Sequence, residues 1–407
     1  MNKVANTEPR PHTPAVNAWW ATAAGFCASL VGIGLARFAY TPLLPAIIGA
    51  HWFEPSRAAY LGAANLAGYL AGALLAQRVA ASTPAGAKLR AMMLLAALSF
   101  FACAYPLSFA WFFAWRFLSG LAGGALMVLA APTVLPHISP SRRGLAGGII
   151  FMGIGVGIVA SGTLVPLLLQ RGLWDVWIGL GVVSLLLAAV SWYGWPREAP
   201  PLAAPVARHT ARPMAPLRAL YPVYAVYALN AAGWVPHMIF LVDYVARGKG
   251  WGLDVGGQYW VLFGIGATVG PLLVGALADR TGFARALRIA LVVEIFGVVI
   301  PALGLGPVWL AASSVIVGAF VTGTVPLVLG RVHEILLHHP AQQGAAWRKA
   351  TVAFALCQAV TAYALSFIFD FSGHAYGLLF AIGTAAILVA LAIDVAAGAS
   401  RRASAQA

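Results

Sequence analysis

The sequence predicts an all-α, polytopic membrane protein. It expects twelve transmembrane helices in two pseudo-symmetric six-helix halves, with both termini in the cytoplasm. Three observations carry this. Of 407 residues, 61% are apolar and 9% charged, against about 25% charged in an average soluble domain. Apolar runs long enough to cross a bilayer recur along the chain. The basic residues divide unevenly between the loops on the two sides of those runs, as cytoplasmic retention of Lys and Arg requires.

The elements follow in order. Lys3 and Arg10 lie in a tail, 1–17, before the first apolar run. That run holds a leader-like "GLA" before Arg37, but its apolar character continues through Ile48. It is therefore expected to stay as a membrane helix and not to be cleaved. Polar breaks and Pro/Gly signals set candidate spans at 18–50, 57–81, 88–109, 111–135, 144–169 and 173–195, then at 217–246, 255–278, 284–304, 307–331, 347–369 and 374–397. Between them "PREAPPLAAPVARHTARPMAP", 196–216, has no apolar periodicity and reads as a flexible central loop. The halves are thus 18–195 and 217–397, with a tail at 398–407. They echo each other: "GALLAQR" closes the second span and "GALADR" the eighth, the pattern of a duplicated transporter unit.

The net charge of +14 comes from basic residues set singly or in pairs between apolar runs, not from a basic block. Nucleic acid is not an expected partner, and topology explains the charge. With both termini inside, nineteen of the 25 Lys and Arg fall in cytoplasmic positions and four outside. Only Arg37 and Arg116 remain within the membrane. Cys27, Cys103 and Cys357 lie in apolar segments and make no disulfide or metal pattern.

Several motifs carry mechanism. In "GALADRTGFARAL", Gly275 is expected to allow close helix approach, and Asp279 to pair with a cation or cap the next helix. Gly282 permits a tight turn, while Arg280 and Arg285 hold the loop at the head groups. This set could form a conformational latch. "RFLSGLAGG" spaces Arg116, Gly120 and Gly124 by four, so one helix face carries a guanidinium and two packing glycines. "GGIIFMGIGVGIVASG" is glycine-rich, but no strand precedes "GIGVG" and a nucleotide loop is not expected. With twelve spans and a central loop, the G-x-L-A-D-R-x-G and R-x-x-x-G patterns resemble the major facilitator superfamily. The first-half loop motif is degenerate, with Gln77 in the acidic position. "GIGLARFAYTPLLP", "RFLSGLAGG" and "GWVPHMIFLVDYVARGKG" narrow the resemblance to its YbfB/YjiJ-type branch. The resemblance implies the superfamily fold and a transporter, and says little of the substrate.

Arg37 lies deep in the first span, where a charge costs at least about 2.5 kcal/mol. It must face the bundle interior. There it either binds an anion on the transport path or pairs with an acidic or carbonyl partner. Tyr40, three residues on, shares its helix face, and Pro42 and Pro45 are expected to bend the helix. Arg116 carries the same alternatives. Glu294 is the carboxylate expected deepest in the membrane, and Asp243 with His237 is a candidate outer gate or proton relay. Asn65, Tyr227, Asn230 and Gln358 are polar groups that either bond a neighbouring helix or face the cavity.

The expected function is secondary active transport of a small organic solute, anionic or polar, by alternating access, coupled to protons. The expected setting is a lipid-embedded monomer in the bacterial inner membrane, with no cofactor, no metal and no enzymatic activity. Broad-specificity multidrug or metabolite efflux is the alternative, because Tyr40, Tyr224, Tyr227 and Trp234 give the path aromatic character. A lipid-modifying enzyme would need clustered His, Asp and Glu, and the spacing of His237 and Asp243 supplies none. "HEILLHH" misses H-E-x-x-H: His333 and His338 are five apart and fall on different faces.

Overall fold

In hydrocarbon every backbone N–H and C=O must bond within its own segment, so a long apolar run has to become a helix. The computed structural model describes residues 18–78, 84–139, 142–196 and 217–406, and contains helices and no strand among them. The tail 1–17, the loop residues 79–83 and the central loop from 197 to 216 lie outside the described residues. Arg197, Arg208 and Arg212 of the charge count therefore lie outside them too.

The first span is α1 (Ala18–Ser29), a π turn (Leu30–Leu35) and α2 (Tyr40–Gly49). The first half continues through α3 (Pro55–Arg78), α4 (Ala85–Cys103), α5 (Phe109–Val134), α6 (Arg143–Leu169) and α7 (Leu173–Ser191). The second half is α8 (Tyr221–Asp243) with a π turn (Tyr244–Gly248), α9 (Leu253–Thr281), α10 (Phe283–Ala302), α11 (Pro307–Ile335), α12 (Pro340–Phe371) and α13 (Tyr376–Gln406). Eleven spans are plainly long and apolar enough to cross a membrane. The twelfth, α10, is 20 residues long but carries Arg285, Arg288 and Glu294. The last helix runs on to Gln406, through the segment expected to be a tail.

The two halves pack by equivalent rules. α3 lies along α5, and α9 along α11. Across the seam between halves α3 meets α12, and α9 meets α6, an exchange that a pseudo-two-fold axis produces. Lipid-facing positions stay apolar, as at Leu185, Leu186 and Val190 of α7 and Leu272 and Leu273 of α9.

An even number of spans places both described ends on one face, the end face, and the α2–α3 loop on the far face. Helix burial shows which side is sealed. Every residue from Cys27 to Ile48 and from Asn230 to Ala246 is buried. The end-face portion of α8 is not, with Tyr221 exposed and Tyr224 half-buried. On the far side α2 packs on α8, and Thr41 Oγ donates to the carbonyl of Met238. Tyr60 of α3 meets Tyr363 of α12 at 6.1 Å between ring centroids. No comparable packing joins α5 to α11 among the described residues. The conformation is sealed at the far face.

This seal makes a prediction. Cysteines at 60 and 363, joined by a short thiol cross-linker in a chain lacking its three native cysteines, should hold the far face shut. Solute flux in proteoliposomes should then stop and return on cleaving the linker.

Candidate functional site

The centre of the molecule is built around the break in the first span. The helix leaves α register over Leu30–Leu35, passes through turns at 36–39 and restarts at Tyr40. The break lies upstream of the prolines expected to cause it. Pro42 has no N–H to offer, and its ring would crowd the carbonyl of Phe38 four residues back, so the distortion falls before it. Gly34 lets this segment approach α6: a Cβ there would lie 2.7 Å from the Gly157 Cα. The glycines of "GIGVG" thus serve helix packing.

The carbonyl of Ala36, beside the break, collects side-chain donors. It accepts from Arg116 Nη1 at 2.9 Å, Ser119 Oγ at 3.3 Å and Asn65 Nδ2 at 3.3 Å. Asn65 also donates to the Arg116 carbonyl at 3.2 Å. The Arg116 guanidinium sits 4.4 Å over the Tyr40 ring, and the Tyr40 hydroxyl donates to the Ala58 carbonyl at 2.7 Å. These groups tie the first span to α3 and α5. Tyr40 therefore packs against Arg116. The i, i+3 face it was expected to share with Arg37 does not survive a break between the two residues.

Arg37 faces the seam between the halves and is 8% exposed. Its guanidinium lies 5.2 Å from the ring centroids of Phe38 and Tyr69, and 5.4 Å from that of Trp234 on α8. Nε and Nη2 reach only the Met238 sulfur, at 3.3 and 3.2 Å, and a thioether is a weak acceptor. The ion pairs formed among the described residues all lie elsewhere. Aromatic rings extend the wall: Trp234 to Phe354 at 6.0 Å, Phe354 to Tyr227 at 4.5 Å, and Tyr227 to Trp347 at 5.9 Å. Gln358 lies one helical turn beyond Phe354. It is buried, and neither end of its amide has a protein partner.

The other candidates separate into three places. Asn230 of α8 donates to Glu294 of α10, both fully buried within the second half. His237 Nε2 meets Ser313 Oγ at 2.9 Å, and that hydroxyl donates to the Gly297 carbonyl at 2.6 Å. Asp243 pairs with Arg247 and accepts from the Tyr376 hydroxyl. His237 and Asp243 do not meet, because six residues along a helix of 3.6 per turn fall on different faces.

At the α9–α10 turn, Gly282 takes φ +79°, a conformation that favours glycine. Two expectations for this turn are corrected. A Cβ on Gly275 would meet nothing within 4 Å, so the residue is not needed for close approach. Asp279, Arg280 and Arg285 are exposed, and Asp279 has no hydrogen bond or ion pair among the described residues. The acid at this turn is Glu334 of α11, which accepts from the Phe283 N–H at 3.2 Å and from Arg331 at 2.7 Å. Glu334 was hidden because it lies 51 residues from the N–H it caps.

The family described as "Uncharacterised MFS-type transporter YbfB" matches residues 29–395. The chain belongs to that family. It is a transporter of the major facilitator type, and not an enzyme. No sequence among the curated proteins matches significantly. Solved structures are similar in fold. The nucleoside transporter NupG matches with a TM-score of 0.72 at 12% identity, over 93% of this chain and 99% of its own. A D-xylose-proton symporter gives 0.68 at 16%, over 92% and 96%. A bacterial homologue of the human lysosomal transporter Spinster, inward-facing and occupied, gives 0.67 at 15%, over 95% and 97%. At these identities the likeness shows the fold.

Within this transporter, three contributors to the centre carried no sequence signal. Tyr69, Met238 and Ser119 stand in ordinary apolar or small-residue contexts. Only the docking of α3, α5 and α8 onto the break reveals them. Trp234 was visible as an aromatic on the seventh span, but not as the ring facing Arg37.

Proposed function

We propose that this transporter carries a small organic anion across the bacterial inner membrane by alternating access, coupled to protons, as a monomer with both chain ends in the cytoplasm. The observation that supports it is Arg37. A guanidinium held at the seam with only rings and a sulfur beside it lacks the oxygen acceptors its donors need. A carboxylate or phosphate supplies them, bidentately. Gln358, with both amide ends free, offers a second polar contact within a mostly apolar wall, the composition of a small-molecule site. On this reading the present conformation is open to the cytoplasm, and the Asp243–Arg247–Tyr376 cluster belongs to the outer closure. The turn at Gly275–Arg285 acts as a latch through Glu334.

The aromatic wall of Tyr227, Trp234 and Phe354 favours one other reading, broad apolar efflux. A thermal-shift screen separates the two. Purified protein is tested against organic anions, neutral metabolites and lipophilic cations across pH. An anion at a hundred times its Kd should add about 2.7 kcal/mol of apparent stability. Stabilisation by lipophilic cations alone would reject the anion reading.

A further inference from the structure

Glu294 and Asn230 form a pair with one hydrogen too few. The Asn230 amide nitrogen donates to Glu294 Oε2. Glu294 Oε1 and Asn230 Oδ1 are both buried without any partner. Both are acceptors, and an ionised carboxyl offers no donor. Turning the amide over does not help, since it would set Oδ1 against Oε2 and strand the NH2 group. A proton on the carboxyl gives the pair the donor it lacks.

Among the described residues no cation pairs with Glu294. Arg288, six residues earlier on α10, is committed to Asp394 of α13 at 2.8 Å. From α8, His237, two turns beyond Asn230, is bonded to Ser313 of α11, Asp243 is held by Arg247 and Tyr376, and Tyr227 packs on Phe354. α11 also brings Ser314, which bonds its own helix at Leu310. α13 brings Thr384, bonded to Phe380. α9 brings Asp279 and Arg280 only at the exposed turn. An isolated buried carboxylate is strongly disfavoured, and such a group takes up a proton instead.

We propose that Glu294 is a proton-binding site, holding its proton in this conformation, with Asn230 as the amide that pairs with the acid. The pair has a route to the central site. Asn230, Trp234 and Met238 follow at intervals of four along α8, and the last two touch Arg37. Loss of the proton takes away the donor that Asn230 Oδ1 needs and leaves an uncompensated charge between α8 and α10, and so disturbs the helix that faces the solute. This coupling consequence rests on the carrier reading above; the protonation itself does not.

The test needs no solute. Infrared spectra of the purified protein in lipid, titrated through neutral pH, read protonated carboxyls by their C=O stretch. We expect one such band at neutral pH, sensitive to deuterium exchange and lost in Glu294→Gln. In Asn230→Ala the band should persist and move to higher wavenumber as its hydrogen bond disappears. No band at neutral pH, or a band untouched by Glu294→Gln, overturns the site. An unmoved band in Asn230→Ala overturns the amide pairing, and this reading decides if Glu294→Gln does not fold. Should the band behave as expected while no pH gradient drives solute uptake, the site stands and the coupling falls.

Discussion

Arg37→Met should remove most of the anion affinity while leaving the protein folded and no less thermally stable. The guanidinium is buried, has no carboxylate or carbonyl partner among the described residues, and touches three rings and a sulfur. Removing it therefore strands no partner. It also relieves a desolvation penalty that at mid-membrane is at least about 2.5 kcal/mol, at the loss of cation–π contacts of roughly 0.5–2 kcal/mol. A hydrogen bond to a charged group is worth about 1.5–3 kcal/mol, so anion binding should weaken roughly tenfold to a hundredfold. Titration of a stabilising anion, with melting temperatures of both proteins, checks the two halves of this expectation. A large fall in melting temperature without ligand would mean that Arg37 holds the structure, not the solute.

The second large effect is on assembly. Gly120→Ala should destabilise the protein by about 3 kcal/mol or more, beyond the usual range for overpacking. A Cβ on Gly120 would lie 1.8 Å from the Asn65 carbonyl oxygen, and one on Gly68 would lie 1.9 Å from that of Phe117. The contact is backbone on backbone, so no side chain can turn aside, and α3 and α5 must separate. Separation also breaks the Asn65 bonds to Ala36 and Arg116, which hold the helix break. Gly275→Ala is the control. It has open space around it and sits inside a helix, where alanine is favoured over glycine by about 1 kcal/mol. Thermal denaturation of the two single variants should shift in opposite directions.

Much of this was legible from residues alone. "RFLSGLAGG" announced a guanidinium above packing glycines, and Gly120 and Gly124 both pack on α3 in this way. Glu294 stood out because few carboxylates lie in apolar sequence. Other expectations failed where periodicity failed. Tyr40 shares a face with Arg37 only on an unbroken helix, and the π turn and Pro42 end that register. Asp279 lost its role at the turn to Glu334 because spatial neighbours on another helix leave no mark in local spacing.

Composition, charge asymmetry and the half-chain echo determined a twelve-helix membrane protein in two halves with two arginines inside the membrane, and the motifs' resemblance to a known superfamily implied a transporter. Those properties are local or summed, and hydrocarbon allows a long apolar run no other backbone structure. What the two arginines do was decided only in three dimensions. Arg116 found the Ala36 carbonyl beside the helix break, 80 residues away, and became part of the frame. Arg37 met only rings and a sulfur 201 residues away, and was left with donors to spare. Which buried charge is satisfied depends on what other helices bring to it, and no window of sequence contains that.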